Sequence, residues 1–75
     1  MITAAEVWQV IAEGILVEDY PEDMRGHSCL IFGRGDHERP IHLVCAPKLD
    51  YLAVITAYVP DPDEWSQDFT VRVKK

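Results

Sequence analysis

The stretch HSCLIFGRGDHERPIHLVCA, residues 27–46, decides the expected fold. It contains two apolar runs, 27–32 and 41–46, on either side of a polar segment in which Gly33 and Gly35 can supply the backbone angles of a tight connection. Short apolar runs that are bounded by turn residues are typical of strands. We therefore predict that these two runs pair as a hairpin.

A helix is predicted before this hairpin. Residues 3–6, TAAE, form a capping box, in which the threonine hydroxyl and the glutamate satisfy early backbone N–H groups. An apolar stripe at helical spacing follows, made of Val7, Trp8, Val10 and Ile11. Gly14 is a typical stop because glycine tolerates a positive φ. The sequence therefore predicts a helix over residues 3–13.

Further strands are predicted at 15–20, at 51–59 and, with the alternation of an edge strand, at 69–73. The connections between the strands are too short for crossovers, so the sheet should be largely an antiparallel meander. We therefore predict a single α+β domain over residues 1–75. It has one N-terminal helix packed on a mostly antiparallel sheet of four to five strands.

The central strands are apolar at both odd and even positions, which is typical of strands that are covered on both faces. One helix covers one face. Two alternatives remain for what covers the other face. The first is a protein partner or a second copy of the chain, and the second is the chain ends together with the loop around Trp65. The first alternative predicts association through the sheet face that lies away from the helix.

Charge limits the classes of partner. The 75 residues carry 7 basic and 13 acidic side chains, a net charge of −6, which disfavours RNA and anionic membranes as partners of the whole surface. Residues 25–48 are an exception, with a net charge of +2 and all three histidines. The two cysteines lie in apolar runs, and no apolar run is long enough to cross a bilayer. We expect a reducing, cytoplasmic setting and no membrane association.

Several segments together resemble a known bacterial family over residues 14–72. They are Gly14 with a following EDYP, the strand SCLI, the runs PIHLV and ITAYVP, and finally Trp65 and Arg72. The pattern resembles domain of unknown function 4258 (DUF4258), whose members look like small toxins of the RelE/BrnT type. The resemblance implies a helix on an antiparallel sheet that can cut RNA, and in some cases an antitoxin-like partner. The fuller members carry a further helix with His and Arg before the position of Val7, and this chain begins without it.

Cutting RNA requires an acid and a base, and cations for the developing negative charge. His42 is the best candidate for proton transfer because it titrates near neutral pH and lies in an apolar strand. Tyr58 could donate to a phosphate, and Arg72, which belongs to the family pattern, could bind one. The simpler alternative for His42 and Tyr58 is a structural role in the core. For Arg72 it is a solvated edge charge.

Phosphate binding outside this trio is predicted at Arg25, Arg34 and Arg39, with solvated surface charges as the alternative. The orientation of His42 decides its role. If Ile41, Leu43 and Cys45 pack on the helix, His42 faces away from the helix and catalysis is conceivable. If Val44 packs on the helix instead, His42 is buried beneath it.

We expect no cofactor and no metal ion. His27, Cys29, His42 and Cys45 could ligate zinc, but they lack the paired spacing of a zinc site, and strand alternation places His42 and Cys45 on opposite faces. Two functions therefore remain. One is a RelE-like ribonuclease or a degenerate relative of one, and the other is a non-catalytic domain that binds a partner or itself.

Overall fold

The helix α1 spans Ala4–Glu13 in the computed structural model, which describes residues 1–22, 24 and 26–73. Its capping box is formed: the Thr3 hydroxyl accepts from the backbone N–H of Glu6, and the Glu6 carboxylate accepts from the backbone N–H of Thr3. Gly14 follows the last turn at the predicted position, but its φ is −75°, so the helix ends without the positive φ that was expected there. No helix in the described part of the chain is long and apolar enough to cross a bilayer.

Four antiparallel strands form one sheet in the order β1-β2-β3-β4. Their bounds are Ile15–Tyr20, Ser28–Arg34, Pro40–Pro47 and Leu52–Tyr58. The predicted hairpin is β2 and β3, paired from Cys29 opposite Cys45 to Arg34 opposite Pro40, with a short 3₁₀ turn between them. The left-handed positions of this connection are His37 and Glu38, not the glycines that were expected to supply them. The predicted α+β class, with a helix on an antiparallel meander, is confirmed.

The optional fifth strand at 69–73 does not form. Phe69 has a φ of 62°, in the left-handed region, which breaks the extended backbone that a strand requires. A single antiparallel bridge joins Trp65 to Arg72, and the Ser66 N–H donates to the Val71 carbonyl. This part of the chain is therefore a narrow loop, and the described sheet has four strands.

The face of the sheet toward α1 carries the main apolar core. Ile41, Leu43 and Cys45 are buried there with Val10 of α1. A side chain at Gly33 would approach Val10 to 3.0 Å, so glycine lets the helix lie close to β2. Of the two orientations considered for β3, the structure therefore has the one in which His42 points away from α1.

The opposite face is covered by the chain itself. We call residues 60–73 the C-terminal segment. It places Trp65, which is buried, over His42, and the ring of Phe69 stacks on that of Phe32. The loop around Trp65, which was the second of the two alternatives for this face, thus covers its centre. Association with a partner or a second copy stays a prediction.

An ion pair with a buried carboxylate joins α1 to the connection between β2 and β3. The Glu6 side chain is 1% exposed, and its carboxylate accepts from Arg39 Nε at 2.8 Å, from Arg39 Nη2 at 2.5 Å and from the Asp36 backbone N–H at 2.9 Å. A side chain at Gly35 would overlap this carboxylate and approach Ile41 Cδ1 to 2.5 Å. The hydrogen bonds of Arg39 hold the pKa of Glu6 well below its ordinary value.

We expect Glu6→Gln to lower the free energy of unfolding far more than Glu13→Gln, which removes an exposed carboxylate of the same helix. Because folding lowers the pKa of Glu6, its contribution is complete above the ordinary carboxyl pKa of 4.5 and is lost as the pH falls below it. Urea unfolding of both variants between pH 3 and 7 measures this. Equal effects of the two substitutions would contradict it.

Candidate functional site

The structure brings the three residues predicted to be catalytic into one cluster. His42 on β3 and Tyr58 on β4 are cross-strand partners. Trp65 packs edge-on against His42 with 4.3 Å between ring centroids, and the Arg72 guanidinium lies 4.7 Å from the centre of the Trp65 ring. We call this group, together with the Glu18 side chain that Arg72 binds, the His42 cluster.

Both ring nitrogens of His42 are engaged. Nε2 lies 2.8 Å from the Phe69 carbonyl, which can only accept, so Nε2 carries the hydrogen. Nδ1 is then free to accept from the Tyr58 hydroxyl, 3.2 Å away. Burial lowers the pKa of His42, which favours this neutral form. With the C-terminal segment in place, His42 has no exposed surface and cannot contact a substrate.

Arg72 closes the C-terminal segment onto β1. Its Nε and Nη2 each lie 3.0 Å from an oxygen of Glu18, a two-pronged ion pair, and the Tyr20 hydroxyl donates to the same carboxylate. The hydrogen bond from Arg72 lowers the pKa of Glu18. Although Arg72 is 63% exposed, a phosphate would have to compete with Glu18 for it.

Tyr58 lies at the margin of the cluster, and burial raises the pKa of its hydroxyl. Tyr58 therefore stays protonated at neutral pH, and its hydroxyl donates a hydrogen bond to His42. The directions of the two pKa shifts, lower for His42 and higher for Tyr58, both oppose transfer of that proton. The arrangement can hold the two rings together, but it does not activate the tyrosine.

Sequence reasoning missed Glu18 and Tyr20 as members of this region. Their alternation in the predicted first strand places them on one face, which was a usable signal. Their contact with Arg72, however, joins residues 54 positions apart in the chain. No local pattern encodes that contact, because it depends on where the C-terminal segment crosses the sheet.

The predicted phosphate-binding arginines are separated. Arg39 is held by Glu6 at the start of α1. The Arg34 guanidinium lies 5.4 Å from the centre of the Phe32 ring and donates to the Glu38 carbonyl. Arg25 lies outside the described residues. Phosphate binding at these three positions stays a prediction, and the arginines that are described already have partners within the chain.

The residues weighed as zinc ligands do not converge. Cys29 and Cys45 are buried toward α1, whereas His42 lies on the opposite face. Burial raises the pKa of both thiols, that of Cys45 to about 11. Across the residues that the structure covers, no three side chains of His, Cys, Asp or Glu are grouped so as to hold a metal ion.

An apolar groove runs between α1 and β4 on the helix side of the sheet. The helix packs mainly on β2 and β3, which leaves β4 uncovered on that side. Trp8 is 70% exposed and Tyr51 is 65% exposed at this groove, whose volume is about 510 Å³. We call it the α1–β4 groove, and it is lined by Ala4, Val7, Trp8, Ile11, Tyr51, Leu52 and Val54.

Comparison with known proteins gives one match. A family model described as "Domain of unknown function (DUF4258)" matches residues 1–59. No curated protein and no solved structure matches the chain. The matched residues include α1 and all four strands, and therefore His42, Tyr58 and the α1–β4 groove. Trp65 and Arg72 lie beyond them.

We expect His42→Ala to lower the free energy of unfolding by about 2–4 kcal/mol, because it leaves a cavity under Trp65 and removes the partner of the Phe69 carbonyl. His27→Ala is the matched control, since His27 is exposed and makes a surface contact with Asp19. Urea denaturation at pH 7 measures both. A His42→Ala protein as stable as the control would contradict a structural role for His42.

The pH dependence of stability gives a second test of His42. Folding lowers its pKa, so the unfolded chain binds more protons, and stability is complete above the ordinary histidine pKa of 6.5 and declines as the pH falls below it. We expect His42→Gln to remove most of the change in unfolding free energy between pH 6.5 and 5. An unchanged pH profile in this variant would assign the dependence to another group.

Proposed function

We propose that this chain, which belongs to the DUF4258 family, is a non-catalytic domain that binds another protein. The observation that carries the proposal is the α1–β4 groove, where two large aromatic side chains, Trp8 and Tyr51, stand exposed beside an uncovered strand. Exposed tryptophan and tyrosine at an apolar groove are typical of protein-binding surfaces, since they bury much apolar area at a low entropic cost.

The state of the polar side chains supports the same proposal. His42 is buried and satisfied at both nitrogens, Arg72 is paired with Glu18, and Arg39 is paired with Glu6. Each of these three candidate groups therefore has an intramolecular partner. With a net charge of −6, the chain also repels RNA over most of its surface.

A second candidate is a ribonuclease of the RelE/BrnT type, or a degenerate relative, with an antitoxin-like partner. One observation favours it: His42, Tyr58 and Arg72 do come together. In this candidate the C-terminal segment would have to move away so that RNA could reach His42, and Arg72 would have to leave Glu18.

A cytoplasmic location belongs to either proposal and is supported by the two free cysteines.

We expect expression of the chain in bacterial cells to leave growth and RNA integrity unchanged, because its candidate catalytic groups are engaged. The Tyr58→Phe protein, which lacks the hydroxyl that His42 accepts from, should behave identically. Growth curves and electrophoresis of total RNA measure this, with binding of purified protein to RNA at low salt as a companion. RNA cleavage that Tyr58→Phe abolishes would establish the ribonuclease instead.

The binding function has its own test. A photo-reactive phenylalanine analogue in place of Trp8 should form one discrete adduct with another protein in the native host. The same analogue in place of Val71 is the control, because Val71 is exposed on the C-terminal segment, outside the groove. The proposal fails if position 8 gives no adduct, or if both positions give the same products.

A further inference from the structure

We propose that β4 accepts an extended segment of a partner protein along its outer edge, and that this segment has alternating apolar side chains flanked by lysine or arginine. The inference rests on the proposed function and names the kind of partner. Strand addition of this kind takes its affinity from main-chain hydrogen bonds, and its specificity comes from pockets for alternate side chains.

The outer edge of β4 is open. β4 is the last strand in the order and pairs with β3 on one side, and no further strand in the described residues pairs with its other side. Its sequence, LAVITAY, contains no charged residue and no proline. Unpaired N–H and C=O groups on such an edge are a template for another strand.

The opposite edge of the sheet is protected. β1 carries Glu18 and Asp19, its pairing with β2 shifts at a bulge between Leu16 and Glu18, and Arg72 of the C-terminal segment binds to it. Charges, bulges and covering loops are the usual devices against edge pairing. β4 has one of them, a bulge at Ile55, which divides the edge into two short pairing stretches. Of the two edges of the sheet, the outer edge of β4 is therefore the one that is open to pairing with a partner strand.

The α1–β4 groove supplies the side-chain pocket. Leu52 and Val54 of β4 line its floor and Trp8 lines its helix side. A strand added beside β4 would direct every second side chain toward this side of the sheet, where the groove has room for apolar groups. Because the bulge shortens the main-chain pairing, these side chains would contribute a large share of the affinity.

Charge complementarity distinguishes a basic partner from a second copy. Acidic side chains flank β4 at both ends: Asp50 precedes it, and Asp61, Asp63 and Glu64 follow it. Residues 48–64 carry one basic residue, Lys48, and four acidic residues, a net charge of 1 − 4 = −3. A second copy would bring another −6 to the contact, whereas lysine or arginine at the ends of a partner strand would meet these carboxylates.

The test uses a synthetic peptide of alternating valine and threonine with two lysines at each end, measured by NMR titration against the intact chain. We expect the largest amide shifts within Leu52–Tyr58 and an affinity that falls with added salt. A peptide of the same sequence with alternate amides N-methylated keeps the charge but cannot pair as a strand. It should bind about tenfold or more weakly.

Two lysine substitutions provide the matched control. Val54→Lys places a positive charge in the groove, and Val71→Lys makes the same change of charge at an exposed position outside it. We expect Val54→Lys to weaken peptide binding by about tenfold or more and Val71→Lys to leave it nearly unchanged. Val54 is 43% exposed, so the Val54→Lys variant should fold. Trp8→Ala, which removes an exposed side chain of the same groove, should also weaken peptide binding.

The inference is overturned by equal affinity for the N-methylated peptide or by equal losses from the two lysine variants. A doubled mass in light scattering that Val54→Lys abolishes would also overturn it, because a second copy would then occupy β4. The inference also fails, while the binding function stands, if the peptide does not bind but position 8 still forms its adduct in the native host. If both are absent, both proposals fail.

Discussion

The ion pair between the buried Glu6 carboxylate and Arg39 is the constraint on which the arrangement of this domain depends. A carboxylate removed from water must be matched by donors, and here the donors come from the capping box of α1 and from the connection between β2 and β3. The helix is thereby fixed over the hairpin rather than over the whole sheet. The uncovered β4 and its groove follow from that placement.

The two faces of the sheet are completed by different means. On the α1 side, apolar packing around Val10 and Leu43 excludes water. On the other side, a short loop covers His42, and polar contacts attach this loop to the sheet. The Phe69 carbonyl accepts from His42, and Arg72 donates to Glu18. The residues that most resemble a catalytic site thus form the attachment of the C-terminal segment.

Local patterns were enough to predict α1, the β2–β3 hairpin and the antiparallel order, because capping residues and short connections act between neighbours in the chain. Strand alternation also gave the two possible orientations of His42, but not the choice between them, which depends on where the helix packs. The prediction of a fifth strand was wrong, because the alternation at 69–73 did not reveal the left-handed backbone of Phe69. The partners of Arg39 and Arg72 lie far away in the chain, so these two ion pairs could not be predicted from the sequence.

The two cysteines have a practical meaning. Cys29 and Cys45 face each other across β2 and β3 beneath the helix, and burial keeps both thiols protonated. A thiol reagent reacts with the thiolate, so it can modify them only when the packing around them opens. Their rate of alkylation therefore reports how often this part of the core opens. The two buried thiols are thus a natural probe of local opening in this domain, and no residue has to be introduced on its surface.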